Sequence, residues 1–349
     1  MFKSEQKTRV LEIGNYAAGY AGKLFAHAGC DVVRIEPEQR KACWVSERAM
    51  DLFLHHDKRR VATSDHGLIA DFANKADVVL VDGESADEIC RLGFESWETP
   101  IKVSITPFGL TGPDRNRAAT NATILALGGY TNLMGDPDRA PLSLPGHYVD
   151  FQSGGYAYTA ASACLLGNRE DVIDIGMLEV IMSLSQFTTV MWTCGQRVRS
   201  RHGNDFWSVV PTTLFRCKDG WVYINIVPQF WDPFTTCIDL PELTLDPRFS
   251  TNGLRMTNRD ALHEIIAAAF IQWTRSEIQQ RAETARIPLG AVLSFPEVLG
   301  DPHLKARNMW QKIRYNDGDS VLSPRPPFVM SGIDRDDLAL TAPGSANDG

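Results

Sequence analysis

The sequence of 349 residues has no apolar run of membrane-spanning length, because Asp, Glu, Arg or Gly interrupts each candidate first. Its opening, MFKSEQKTRV, lacks the apolar segment of a signal peptide. Seven cysteines (Cys30, Cys43, Cys90, Cys164, Cys194, Cys217, Cys237) form no CxxC pair. That disfavours a zinc ribbon or a disulfide framework and makes buried thiols in a reducing compartment the expectation. Positive charge is in deficit, 35 Lys and Arg against 43 Asp and Glu for a net charge of -8. A general nucleic-acid binder is thereby disfavoured, although one local basic pocket for an anion is not. There is no GK[ST] after a glycine loop, no Gly-x-Ser-x-Gly elbow, no His-rich metal motif and no solenoid repeat. A soluble cytoplasmic chain of about two domains is expected, with no metal, membrane or nucleic-acid partner.

What is present in the first half is an alternation of short apolar runs with helical patterns. Strands are expected at Val10–Ile13, Asp31–Ile35, Val78–Val81 and Ile101–Ile105, with a small one at Val61. Helices are expected between them at Gly19–Ala28, Leu68–Asn74 and Asp87–Leu92. This βαβ rhythm predicts an α/β fold on a parallel, doubly wound sheet. Helical patterns follow at Arg117–Tyr130, Phe151–Leu166 and Leu178–Trp192, with a strand at Val172–Ile175. After the polar, basic Arg197–Asp205 the character changes. Strand alternation runs over Thr213–Val227 around a Lys218–Gly220 turn, then helices at Arg259–Ile271, Thr274–Thr284 and Pro296–Trp310. Ile313–Val329 reads as a hairpin around Asn316-Asp317-Gly318, and a polar tail follows Ser331.

Three segments could carry chemistry. The first βα turn holds Gly14, Gly19 and Gly22, and Glu36 closes the second strand where a dinucleotide fold keeps its ribose acid. The glycine spacing is not G-x-G-x-x-G, so close helix–strand packing competes with phosphate binding and NAD is not expected. The adjacent cations Lys58, Arg59 and Arg60 follow His55, His56 and Asp57. They suit phosphate groups or form a solvated turn. Asp150 opens the apolar helix after Pro145-Gly146-His147. It is either an N-cap or a nucleophile, and the two are compatible, because a helix N-terminus favours a carboxylate's charge. His147 could be its partner; a plain loop role is the preferred reading.

Together these segments resemble the class III CoA-transferase family, with its carnitine CoA-transferase, formyl-CoA transferase and α-methylacyl-CoA racemase branches. The resemblance rests on Arg9-Val-Leu-Glu-Ile, Ala18-Gly19 and Ala21-Gly22, Gly29-Cys-Asp-Val-Val-Arg-Ile-Glu36, Asp57-Lys58-Arg59 and Arg91-Leu92-Gly93. Its most specific piece is Val103-Ser-Ile-Thr-Pro-Phe108-Gly109-Leu-Thr-Gly112-Pro113. Gly203-Asn204, Asp219-Gly220-Trp221, Asp246-Pro-Arg-Phe249 and Asp301-Pro302 extend it, so it runs from about Arg9 to about Val329. It implies a Rossmann-like large domain over residues 1–195, completed by 312–349, and a linker at 196–210. A smaller α+β domain would occupy 211–311, and two chains would interlock as a homodimer, or pair with a relative as a hetero-oligomer.

The implied activity is transfer of coenzyme A from an acyl-CoA to a free carboxylic acid. Asp150 would be the nucleophile, passing through an aspartyl–acyl anhydride and an aspartyl–CoA thioester. Coenzyme A would be met by Tyr16, Ala17 and Ala18, by Leu54, His55, His56, Asp57 and Lys58, and by Arg91, Arg117 and Asn121. Some features depart from the family. Where racemases keep a histidine near the start of the Arg117–Tyr130 helix this chain has Ala119, which counts against two-base proton exchange. The stretch Asp205–Pro211 has no glycine run of the formyl-CoA transferase kind. An acyl-CoA racemase and a non-catalytic CoA-binding subunit remain the alternatives.

Overall fold

A computed structural model of the chain describes residues 7–38, 45–315, 319–332, 338–340 and 344–345. It resolves into two compact units. One comprises Met1–Thr131, Ser143–Arg199 and Pro302–Gly349, the other Asn132–Leu142 and Ser200–Asp301.

The first unit is built on six parallel strands: β1 (Arg9–Ile13), β2 (Asp31–Glu36), β3 (Arg59–Ala62), β4 (Val78–Asp82), β5 (Ile101–Thr106) and β6 (Asp171–Gly176). They lie in the order β3-β2-β1-β4-β5-β6, and the short strand Gly344–Ser345 pairs in parallel beyond β3. The α/β class with a parallel sheet is thus as expected. Strands β1, β2, β4 and β5 are buried on both faces, which is why Val78–Val81 reads as a continuous apolar run, whereas β6 is largely exposed. Val10, Val32, Leu80 and Val103 pack with Ala17, Ala21 and Phe25 of helix α1 (Tyr16–His27). The same cluster takes in Ala157 and Ala161 of a long helix, Tyr148–Gly167. Leu11, Val33, Val79 and Val81 pack with Ile69, Ile89 and Trp97. Because β2 and β4 leave β1 in opposite directions, the carboxyl ends of β1 and β4 flank a topological switch point, the usual crevice of an open α/β sheet.

Several helix bounds differ from the sequence reading, each for a physical reason. The expected Arg117–Tyr130 helix is shorter, α2 (Asn121–Leu127), because Thr120 caps it reciprocally with Thr123. The long helix, α3 (Tyr148–Gly167), starts three residues before Phe151, with His147 at its N-cap. Leu178–Trp192 is broken into Met177–Leu184 and Gln186–Gly195 at Ser185, whose hydroxyl donates back to Ile181 O at 3.1 Å. Pro296–Trp310 divides at Asp301-Pro302 into Phe295–Gly300 and Pro302–Ala306, because the residue before a proline disfavours helical backbone. A helix at Val45–His55 was not anticipated. The hairpin forms from Trp310–Arg314 and Ser320–Pro324, and its turn at 316–318 lies outside the described residues.

The second unit carries an antiparallel sheet of β7 (Thr212–Cys217), β8 (Gly220–Asn225) and β9 (Leu289–Ala291). Its core joins Phe215, Val222 and Ile224 to Phe234, Phe249, Ile266 and Phe270. The segment Asn132–Leu142 belongs here because Gly203 N donates to Gly135 O at 3.0 Å and Arg201 Nε to Asp136 O at 3.1 Å.

Candidate active site

At the switch point β1 is followed by Gly14, whose φ of +124° and absent side chain let Asp82, the last residue of β4, come close. A Cβ at Gly14 would fall 2.0 Å from Asp82 Oδ1. The Asp82 carboxylate accepts from Asn15 N and, at 2.9 Å, from Ala18 N, two of the orphan amides at the start of α1. Burial pushes the Asp82 carboxyl up to about 6, the negative charge of Asp150 adding to the rise while the two amides oppose it.

Opposite stand the starts of α2 and α3. Asn121, fixed as the first residue of α2 by the Thr120 cap, bridges to α3 with both ends of its amide. Its Oδ1 accepts from Val149 N at 3.0 Å and Asp150 N at 3.2 Å, and its Nδ2 donates to Asp150 Oδ2 at 2.8 Å. His147 Nδ1 lies 3.0 Å from the same Oδ2, with its ring 4.1 Å from that of Tyr16. Asp150, 8% exposed in the first turn of α3, thus has one oxygen doubly engaged. Its Oδ1 accepts no hydrogen bond among the described residues. These groups line a cleft of about 270 Å³ that also includes Gly83, Glu84 and Met177.

The sequence model described as CoA-transferase family III matches residues 6–348. The chain belongs to CoA-transferase family III. It is 26% identical over 324 residues to the succinyl-CoA–D-citramalate CoA-transferase of Chloroflexus aurantiacus, covering 86% of this chain and 81% of that one. It is 24% identical over 355 residues to the succinate–glutarate CoA-transferase of Agrobacterium fabrum, covering 93% and 88%. Among solved structures, a CAIB/BAIF family protein from Brucella suis superposes with a TM-score of 0.80 at 25% identity, covering 95% and 93%.

Within this family member the cleft brings together Tyr16, Asn121 and Asp150 of the expected set. Ala17 and Ala18 are fully buried beneath it in α1, Ala18 giving its amide to Asp82. Asp150 is not the N-cap weighed from sequence; His147 holds that place, and its side chain reaches Asp150 instead of idling in a loop. The remaining residues lie outside the cleft lining. Leu54, His55 and His56 are buried, and Asp57 is exposed with φ +64°. Arg91 is exposed at the end of helix Ala86–Arg91. Arg117 is exposed, 3.3 Å from Asp114, with its guanidinium 5.6 Å from the Phe108 ring centre.

Lys58 corrects the sequence reading most. Its side chain is wholly buried, bonded to Glu12 and to Gly19 O at 2.8 Å, so its ammonium is not presented to a phosphate. Burial pulls it down to about 8 against the pull of Glu12. Glu12 also binds Arg34, and Arg34 and Arg60 both grip Glu36 (2.9 and 2.7 Å). The carboxylate placed by analogy at a ribose is therefore closed inside an ionic network, and Lys58 and Arg60 are neither a solvated turn nor a phosphate cradle. Sequence reasoning passed over Asp82, whose signal was an acid closing an otherwise apolar strand at the switch point. Among the described residues no group of three or more His, Cys, Asp or Glu side chains could hold a metal, and no helix is long and apolar enough to cross a membrane.

Proposed function

We propose that this family member moves coenzyme A from an acyl-CoA thioester to a free carboxylic acid, with Asp150 as the nucleophile. The observation that carries the reading is Asp150 itself, a nearly buried carboxylate in the cleft with Oδ2 held by two donors and Oδ1 left to react. Oδ1 attacks the thioester carbonyl, the C–S bond breaks, and the aspartyl–acyl anhydride and CoA thiolate result. The thiolate then attacks Asp150 Cγ, releasing the donor acid and leaving an aspartyl–CoA thioester. An acceptor carboxylate runs the two steps in reverse, so the acyl-transfer energy is kept without ATP. Burial of Asp150 supports this chemistry, because an anhydride survives only where water is kept away.

Proton exchange at an α-carbon is the weaker reading here. Two-base exchange needs its groups on opposite sides of one carbon, whereas His147 and Asp150 are hydrogen-bonded to each other. The relatives' names point towards dicarboxylic acids such as succinate as the donors and acceptors to try first.

The test is intact-protein mass spectrometry after incubation with acetyl-, propionyl-, succinyl- and glutaryl-CoA, wild type beside Asp150→Ala. An acyl or CoA-sized adduct in the wild type that disappears in the variant is expected. An adduct that persists in Asp150→Ala, or none with any thioester despite CoA binding, overturns the assignment.

A further inference from the structure

Two donors converge on one oxygen of Asp150, Oδ2, and leave the other without a partner among the described residues. We infer that His147 is a catalytic residue whose Nδ1–H, together with the Asn121 amide, stabilises the oxyanion formed on Asp150 Oδ2 when a thiolate attacks Cγ; this rests on Asp150 being the nucleophile.

A carboxylate only accepts hydrogen bonds, so the Nδ1 facing it at 3.0 Å carries the proton. The Asn121 amide cannot turn away, because its Oδ1 is pinned by the Val149 and Asp150 amides; Nδ2 is left aimed at Oδ2 at 2.8 Å. The imidazole is seated between rings, 4.1 Å from Tyr16 and 6.1 Å from Phe151. Both donors are therefore in place before any charge develops, which is what makes an oxyanion site effective.

Charge flow decides which step they serve. When Oδ1 attacks the donor carbonyl, Oδ2 turns from carboxylate into anhydride carbonyl oxygen and loses negative charge, so donors on it do not help. When thiolate attacks Cγ, the Cγ–S bond forms and a full negative charge collects on Oδ2. Its collapse breaks the Cγ–Oδ1 bond, and the electron pair leaves on Oδ1 as the donor carboxylate. No proton moves. Donors on Oδ2 lower this barrier and the matching one for attack by the acceptor acid.

The consequence is an effect on only one of two consecutive steps, which loss of packing would not produce. Two variants separate donor from ring: His147→Asn, whose amide nitrogen stands where Nδ1 does, and His147→Phe, which keeps a ring and loses the donor. Each is quenched rapidly after mixing with succinyl-CoA and the other thioesters of the panel, without acceptor, and its adducts are weighed. In His147→Phe, formation of the CoA thioester is expected to slow by about 10²-fold. The acyl adduct then accumulates at an undiminished rate, whereas His147→Asn stays within a few-fold of wild type. A thioester formed by His147→Phe as fast as by wild type overturns the inference. Equal slowing in both variants does so too, since it assigns the effect to packing. If wild type itself forms no adduct, the nucleophile assignment falls as well; an adduct in wild type that His147→Phe leaves unchanged sinks this inference alone.

Discussion

Gly154 sets the distance between the two helices that frame the site. It lies one turn beyond Asp150 on α3, packed against α1, and Ala17, Ala21, Ala157 and Ala161 near it are all fully buried. A Cβ at position 154 would stand 2.5 Å from Ala17 O and 3.1 Å from Tyr20 Cβ. The nearer atom is backbone, so no side chain can swing aside and the helices must part, by roughly 0.5–1 Å to restore ordinary contact. Overpacking of this kind costs about 1–3 kcal/mol, against which the better helix propensity of Ala returns about 1 kcal/mol. Gly154→Ala should therefore lower the melting temperature by a few degrees, at about 2–4 °C per kcal/mol for a domain of this size. The same displacement moves Asp150 away from Tyr16 and should slow adduct formation, by up to about 10²-fold. Gly155→Ala is the control, since its Cβ meets nothing within 4 Å. It should melt no lower than wild type and label at the wild-type rate. Thermal melts and quenched labelling of both variants decide the matter. If Gly154→Ala melts as high as Gly155→Ala and labels as fast, the close helix approach does not position the carboxylate.

Two further outcomes follow from the buried charges. Lys58→Met leaves Glu12, which is 0% exposed, with Arg34 but without its ammonium partner. It should cost about 3 kcal/mol in a urea titration; unchanged stability with weakened CoA binding by calorimetry would return Lys58 to a phosphate-contacting role. For Asp82 the folded-state carboxyl lies above its ordinary value, about 6 against 3.8, so between those values the folded chain binds more protons than the unfolded one. Its contribution to stability is therefore fully present below about pH 4 and lost as pH rises through about 6. At 1.36 kcal/mol per unit the loss amounts to about 3 kcal/mol. The stability of wild type relative to Asp82→Asn should fall across that interval in urea titrations at pH 4.5 and 7; a constant or rising difference would contradict the burial of this carboxyl.

The parallel sheet was legible because its signal is local. The run Val78–Val81 is apolar on both faces, Ile101–Ile105 alternates its apolar residues with Lys102 and Ser104, and helical patterns fall between such runs. The place of Asp150 in the first turn of a helix after a Pro-Gly loop was legible for a similar reason. The partners of these residues were not, because strand pairing and helix docking bring them from far along the chain. The start of α1 was expected at Gly19 and lies at Tyr16, since the carboxylate that satisfies its first amides comes from Asp82 on another strand. Lys58 and Arg60 look like surface cations in a row of cations until the register of the sheet sets Arg34 beside Glu12 on one side and Arg60 on the other. The clue available in the sequence was a charge inside an apolar strand, Glu12 in Arg9–Ile13 and Arg34 in Asp31–Glu36. A charge there is affordable only with a buried counter-charge, so each such residue demands a partner that the sequence does not identify. The same logic applies at the site. On the proposed mechanism Asp150 is the nucleophile, but which of its oxygens would attack depends on where Asn121 and His147 place their donors, and that is decided only when α2 docks against α3.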